Sequence, residues 1–371
     1  MEPLARAVRL AGHLLASALA LGWFVLARRG GTLVFAHAPD VDASGRDAQM
    51  GPLVERLVAR GERLVEVTFV PLSGGLLATL NRTRRLFVSH AALLAAGRVL
   101  GRERAGRLLL GLLAPRLVYL IDESGSGQTL LRAARALGIP TIGVQHGDFQ
   151  PSNSRYSAPP AGTVAADVLA LWSDWFRARL LAHSPLYDRA NTRVVGRILP
   201  APAPAGAGPG RRGTTTRVLL LSQREPGFPR RLAPFLEVLR SAPDFELVVR
   251  PHPGEDPARW PGSERANRDL AGDLAWADVV LGVESSALLE ALRHGRPAVS
   301  LQTTPGEDPA GYLAAVATAA CDRPDELAAR CRSLASGDAS GMRAARERVW
   351  SGGSADPVAD LLALGEELLR R

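Results

Sequence analysis

RLVYLIDESGSGQTLLRAARALGIPTIGVQHGD, residues 116–148, decides the fold. Its first seven residues are almost wholly apolar, the composition of a strand buried on both faces. ESGSG is a turn, because paired glycines and serines favour neither a helix nor a strand interior. QTLLRAARALG (128–138) places its apolar residues at helical spacing and is stopped by Gly138. IPTIGVQ (139–145) is again a buried strand, and it runs straight into His-Gly-Asp. Strand, helix and strand in about thirty residues make a parallel βαβ unit. Polar groups at the carboxyl end of such a strand stand where open α/β sheets bind ligands.

Outward from this unit the pattern repeats. TLVFAHAPD (32–40), RLVEVTFVP (63–71) and VAADVLALWS (164–173) read as strands, and AQMGPLVERLVARG (48–61) and residues 89–113 as helices. ILPAPAPAGAGPGRRGTTT (198–216) interrupts with Pro, Ala and Gly in no period, the mark of an exposed linker. The alternation then restarts. RVLLLSQ (217–223), FELVVRPHP (245–253), ADVVLGV (277–283) and RPAVSL (296–301) are strands. PRRLAPFLEVLRSA (229–242), SSALLEALRHG (285–295), PDELAARCRSLASG (324–337) and DPVADLLALGEELLRR (356–371) are helices. The expected fold is α/β: two doubly wound Rossmann-like domains facing across a cleft, after an N-terminal hydrophobic helix. The boundaries are helix 1–30, a first Rossmann-like domain 31–200, linker 201–216, a second Rossmann-like domain 217–355 and C-terminal helix 356–371.

Composition narrows the partners. The chain has 371 residues, 46% hydrophobic but only 5% aromatic, and a formal charge of +8 carried entirely by arginine. Excess positive charge favours anionic ligands. Aromatic residues are too sparse to interleave with arginines as stacking platforms, so nucleic acid is not an expected partner. Cys321 and Cys331 are read as two half-buried thiols in a reducing compartment, with no Cys and His set spaced for zinc. An apolar run over residues 10–27 reads as a membrane-associated helix, as a signal peptide with VLA before Arg28 as a poor cleavage site, or as a helix packed on the first domain. NRTRRLFVSHAALLAAGRVLGRERAGRLLLGLLAPR (81–116) alternates Leu and Arg as an amphipathic helix, either a solvated basic face or a dock on anionic lipid.

Five strand ends carry chemistry. In VESSALLEALRHGRPAVSL (283–301), Ser285 and Ser286 open a helix. A serine there caps orphan amides, and the same amides bind phosphate. In VVRPHPGE (248–255), two prolines fix the backbone around His252. They present its imidazole, and with it Arg250, to a phosphate oxygen or a leaving group. A surface histidine in a proline-rich turn is the plainer alternative. In LLLSQREPG (219–227), Gln223 and Arg224 are placed for a diphosphate. In GVQHGD, Gly147 lets the chain turn, His146 suits a general base for a hydroxyl nucleophile, and Asp148 orients it. Glu123, beside Asp122 at the preceding strand end, is the runner-up base, and a structural His146 bonded to backbone is the alternative.

A strand-Gln-His-Gly, then a strand-Arg-Pro-His-Pro, then a strand-Glu-Ser-Ser-helix resemble the GT-B-fold bacterial transferases of surface polysaccharides. These include the CDP-glycerol glycerophosphotransferases, the bacterial sialyl- and polysialyltransferases and the capsule Kdo transferases. The resemblance runs from about residue 116 to 335 and includes ARALGIPTIGVQHG, Tyr156, AADVLALWS and VVGRILP. It implies that His146 is the base, that His252 contacts the donor phosphate, and that Ser285 and Ser286 bind that phosphate. It also implies that Glu284 or Glu290 touches the donor ribose. Two departures leave the donor open: no aromatic residue precedes the histidine as in the glycerophosphotransferases, and DESG has one serine more than the sialyltransferase acid motif.

The expected activity is therefore metal-independent glycosyl (or glycerophosphoryl) transfer, with no cofactor, from a nucleotide-activated donor to a hydroxyl of a cell-surface glycan or lipid-linked acceptor. The expected place is the cytoplasmic side of the inner membrane, with contact through residues 10–27 and 81–116. Two rivals stand beside it: a UDP-GlcNAc 2-epimerase-like enzyme, and a non-catalytic scaffold of polysaccharide assembly.

Overall fold

The computed structural model describes residues 32–36, 50–68, 85–121, 123, 125–147, 149, 154–198, 215–223, 227–252, 255–260, 264–265, 269–283, 285, 287–303, 317–336 and 340–371. The hydrophobic helix expected over 1–30, linker residues 201–214, Asp122, Asp148, Arg224, Glu284 and Ser286 lie outside them. The chain divides into two compact units: Met1–Pro200 with Gly352–Arg371, and Ala201–Ser351.

The first unit is built on a seven-stranded parallel sheet. Its strands are β1 (Thr32–Ala36), β2 (Arg63–Thr68), β3 (Arg85–Ser89), β4 (Leu117–Leu120), β5 (Thr141–Val144), β6 (Val168–Leu171) and β7 (Thr192–Val194), in the order β3-β2-β1-β4-β5-β6-β7. The order reverses at β1, which pairs with both β2 and β4. Successive side chains point to opposite faces, so Leu117, Tyr119 and Ile121 enter one core while Val118 and Leu120 enter the other. Helix Gly51–Ala59 and the last helix, Pro357–Arg370, cover the first face. Helices Arg102–Leu113 and Ser126–Ala136 cover the second.

The last helix fits by small residues. A Cβ on Gly365 would lie 2.5 Å from the Tyr119 hydroxyl and 2.9 Å from Leu117 Cδ2. Asp356 caps the helix by accepting the Ala359 amide at 3.0 Å, and Arg56 and Arg60 reach Asp356 and Glu366 at 3.2 and 2.8 Å. Where the chain re-enters the unit, Gly196 (φ +94°) admits the backbone of Ser354, whose N and O would be 3.1 and 3.2 Å from any added Cβ.

The second unit has six parallel strands: β8 (Thr216–Leu221), β9 (Phe245–Arg250), β10 (Glu264–Arg265), β11 (Val279–Gly282), β12 (Ala298–Leu301) and β13 (Ala319–Cys321). Their order is β10-β9-β8-β11-β12-β13, reversing at β8. Helices Phe228–Arg240 and Pro324–Ser336 pack Leu232, Leu236, Leu327 and Cys331 over Val218, Leu220, Leu281 and Val299. Cys321 and Cys331 are fully buried rather than half-buried, and burial pushes the Cys331 thiol up to about 12.

One expectation about the basic stretch is corrected. Residues 85–89 are not helical but form β3, pairing with β2 from Leu64↔Arg85 to Thr68↔Ser89. After β3 come two helices, His90–Leu100 and Arg102–Leu113, broken at Gly101 (φ +83°). No helix among the described residues is long and apolar enough to cross a membrane.

At the amino edge of the second sheet, Arg217 and Asp278 tie β8 to β11. The guanidinium donates at 2.8 and 3.1 Å and the Arg217 amide at 2.9 Å, with the side chains only 16% and 19% exposed. Burial alone would raise the Asp278 carboxyl, but the hydrogen bonds and charge of Arg217 overturn this and hold it below the usual range. A lowered folded-state pKa stabilises above the unfolded value and is lost as pH falls through the folded one. Asp278→Asn is therefore expected to lower stability by about 2 kcal/mol at neutral pH. In thermal denaturation followed from neutral pH downward, the gap to the parent protein should close below the unfolded carboxyl value of 3.8.

Candidate functional site

Each unit carries a cluster at the carboxyl edge of its sheet. In the first, β4 and β5 are neighbours, so the residues after them, Glu123 and His146, share one edge. His146 is half-buried. The preceding Gln145 is 2% exposed and clamps the turn: its Nε2 donates to the Gly147 carbonyl at 2.8 Å, and its Oε1 accepts the Trp172 amide at 2.9 Å. The glutamine of Gln-His-Gly thus fixes the loop that presents the histidine and ties it to the end of β6. A small pocket beside it is lined by Ile121, Val144, Gln145, Trp172 and Arg197, the Arg197 guanidinium lying 4.1 Å from the centre of the Trp172 ring system.

Glu123 is enclosed, at 4% exposure. The Tyr187 hydroxyl donates to its carboxyl group, 2.5 Å from Oε1 and 2.6 Å from Oε2, and accepts the Ala166 amide at 3.1 Å. Burial, then the Glu123 charge, raises the Tyr187 pKa well above the ordinary phenol value, so the hydroxyl keeps its proton and stays a donor. Tyr156 and Phe149 continue this packing, their rings edge-to-face at 4.9 Å. Gly143 on β5 makes room for Glu123, because an added Cβ would lie 2.2 Å from its Oε1.

In the second unit, β8 is flanked by β9 and β11. Gln223, His252 and Ser285 follow these three strands and so stand along one edge, at the point where the strand order reverses. His252 is exposed, while Gln223 and Ser285 are half-buried. The Ser285 hydroxyl accepts the Ala287 amide at 3.3 Å and caps helix Ala287–Arg293. Arg250 ends β9 and is ion-paired with Asp273, itself 1% exposed. Glu290 is 3% exposed, with Arg293 3.5 Å away.

The residue that organises this edge is one the sequence motifs did not single out, Glu255. It is 7% exposed, and its Oε2 accepts from the Ser222 hydroxyl and from the His252 amide at 3.2 Å. Its Oε1 accepts from Trp260 Nε1 at 3.2 Å and faces Arg259 at 3.2 Å. The Glu255 amide in turn donates to the His252 carbonyl at 2.8 Å. The prolines fix His252 locally, and Glu255 fastens that turn to the end of β8. The available signal was a carboxylate three residues after a proline-locked histidine. Among the described residues no group of three or more His, Cys, Asp or Glu side chains could hold a metal ion.

No protein-family model matches the sequence, and no curated protein is significantly similar to it. Solved structures are similar in fold. A glycosyltransferase of kitacinnamycin is 18% identical, with a TM-score of 0.60 over 91% of this chain and 99% of its own. A UDP-GlcNAc 2-epimerase from Neisseria meningitidis bound to UDP-GlcNAc is 12% identical, with a TM-score of 0.59 over 92% and 100%. An Anabaena protein in complex with UDP and glucose is 13% identical, with a TM-score of 0.55 over 92% and 100%. The fold is thus the mixed α/β fold, with parallel sheets, that GT-B glycosyltransferases and UDP-GlcNAc 2-epimerases share.

Two variants test the supports of these edges. Gly143→Ala should cost about 2 kcal/mol through overpacking, and less in a Glu123→Ala background, where Leu169 Cδ1 at 2.9 Å is the remaining close contact, so a double-mutant cycle on thermal stability should show coupling. Glu255→Ala leaves buried donors without their carboxylate and should cost about 3 kcal/mol, measured by chemical denaturation.

Proposed function

We propose that this chain is a glycosyltransferase. It moves a sugar from a nucleotide-activated donor to a hydroxyl of a cell-surface glycan or lipid-linked acceptor, at the cytoplasmic face of the membrane. The observation that carries the reading is the alignment of Gln223, His252 and Ser285 on three neighbouring strand ends of one sheet, where strand order reverses. The fold shared with glycosyltransferases supports it.

In this reading the second unit holds the donor. The first amides of helix Ala287–Arg293, with Ser285 and Ser286, meet the donor phosphates. Gln223 and Arg224 flank them, and Glu284 is the carboxylate for the ribose, Glu290 being enclosed beside Arg293. His252 donates to a phosphate oxygen as the bond from the anomeric carbon to the leaving oxygen breaks and the electron pair passes to the nucleotide. Arg250, held by Asp273, adds fixed positive charge nearby. The first unit holds the acceptor, whose hydroxyl attacks the anomeric carbon and gives its proton to His146, oriented by Asp148. Glu123 and Tyr187 keep the loop in place.

The epimerase reading rests on equally similar folds, and a nucleotide screen followed by an epimerisation assay separates the two. Purified protein is screened by thermal shift against CMP, CDP, UDP, GDP, TDP and ADP. A ligand at a hundred times its dissociation constant adds about 2.7 kcal/mol. One nucleotide is expected to raise the melting temperature, and His252→Ala should remove the effect while the protein stays folded. A responder unaffected by His252→Ala overturns the assignment of that residue. Epimerised UDP-GlcNAc without acceptor decides for the epimerase, and no response to any nucleotide decides for a scaffold.

A further inference from the structure

Four of the exposed large apolar side chains among the described residues fall within fourteen positions: Val99, Leu100, Leu108 and Leu112, at 83, 45, 54 and 44% exposure. They lie on the two helices that meet at Gly101, His90–Leu100 and Arg102–Leu113. The inner face of the second helix is already satisfied, with Ala105, Gly106, Leu109, Leu110 and Leu113 buried. Its outer face sets Arg104, Leu108 and Leu112 four residues apart, in one row along the helix. Arg98, Arg102, Arg104 and Arg107 are all exposed on the same stretch, against Glu103 as its only acid. Glu103 lies 3.9 Å from Arg132 of the neighbouring helix, so its charge is shared with another arginine.

We infer that this helix pair is a docking face for an anionic lipid surface. Exposed apolar side chains interspersed with exposed arginines are the composition of a segment that lies in the membrane interface, its apolar groups among the acyl chains and its cations at the headgroups. The charge selects this occupant over a second copy of the chain, because two such faces would bring like charges together. The inference does not depend on the glycosyl-transfer reading and can fail without it.

The two native thiols are fully buried, which makes a direct test possible. In the full chain, Leu108→Cys carries an environment-sensitive NBD label, and Glu55→Cys, on the helix that covers the opposite face of the sheet, is the control. With vesicles of phosphatidylcholine and phosphatidylglycerol, the label at 108 should brighten and shift to the blue while that at 55 does not. Vesicles of phosphatidylcholine alone should bind far more weakly. Each arginine near an anionic surface is worth about fivefold in partitioning, so Arg104→Glu with Arg107→Glu should weaken binding by about 25-fold or more. An unchanged label at 108 on vesicles that do bind the protein would place the contact elsewhere in the chain and overturn the inference. So would a label already in an apolar setting without lipid, which would mean that protein covers the face.

Discussion

A parallel sheet has two apolar faces and no tolerance for leaving either in water. That constraint governs the first unit. One face is sealed by helices that lie between its own strands in the chain. The other is sealed partly by Pro357–Arg370, the far end of the sequence. Tyr119 stands at the centre of that contact, buried against a glycine that leaves no space for a side chain. The carboxyl-edge loops after β4 and β5 inherit their positions from strands held in this way.

The two edges are stabilised by different means that reach the same end. In the first unit a buried carboxylate meets a tyrosine, and a glutamine closes the turn behind His146. In the second a buried carboxylate gathers a serine, an indole, an arginine and the backbone of the histidine turn. Each histidine sits in a turn that a neighbouring side chain fastens, Gln145 at the Gly147 carbonyl and Glu255 at the His252 amide. A loop fastened by such side chains holds the ring that it carries in a fixed place at the sheet edge.

Much of this was legible in the sequence because periodicity and punctuation act locally. Leu117–Leu120, Thr141–Val144 and Val279–Gly282 are continuous apolar runs ended by turn residues, and the structure places strands there. The short edge strands β3, β7, β10 and β13 were not legible. Two to five residues at a sheet margin carry no period of their own and are strands only because a neighbour offers hydrogen bonds. The same distinction holds at the sites. His146, His252 and Ser285 announce themselves by standing at strand ends. The partners of Glu123 and Ser222 are 64 and 33 residues away in the chain, and no local pattern links them.

The return of the last helix also sets an order of assembly. Domains commonly fold from the amino end as the chain leaves the ribosome. Here the amino-terminal sheet lacks one of its covers until residue 370 has emerged, whereas the last residue of Ala201–Ser351 precedes it in the chain. The second unit's chain is therefore complete before the first's, although it begins later. Until the last helix arrives, Gly51–Ala59 covers only part of that face of the first sheet, and Tyr119 and Leu117 lack the glycine surface they pack against.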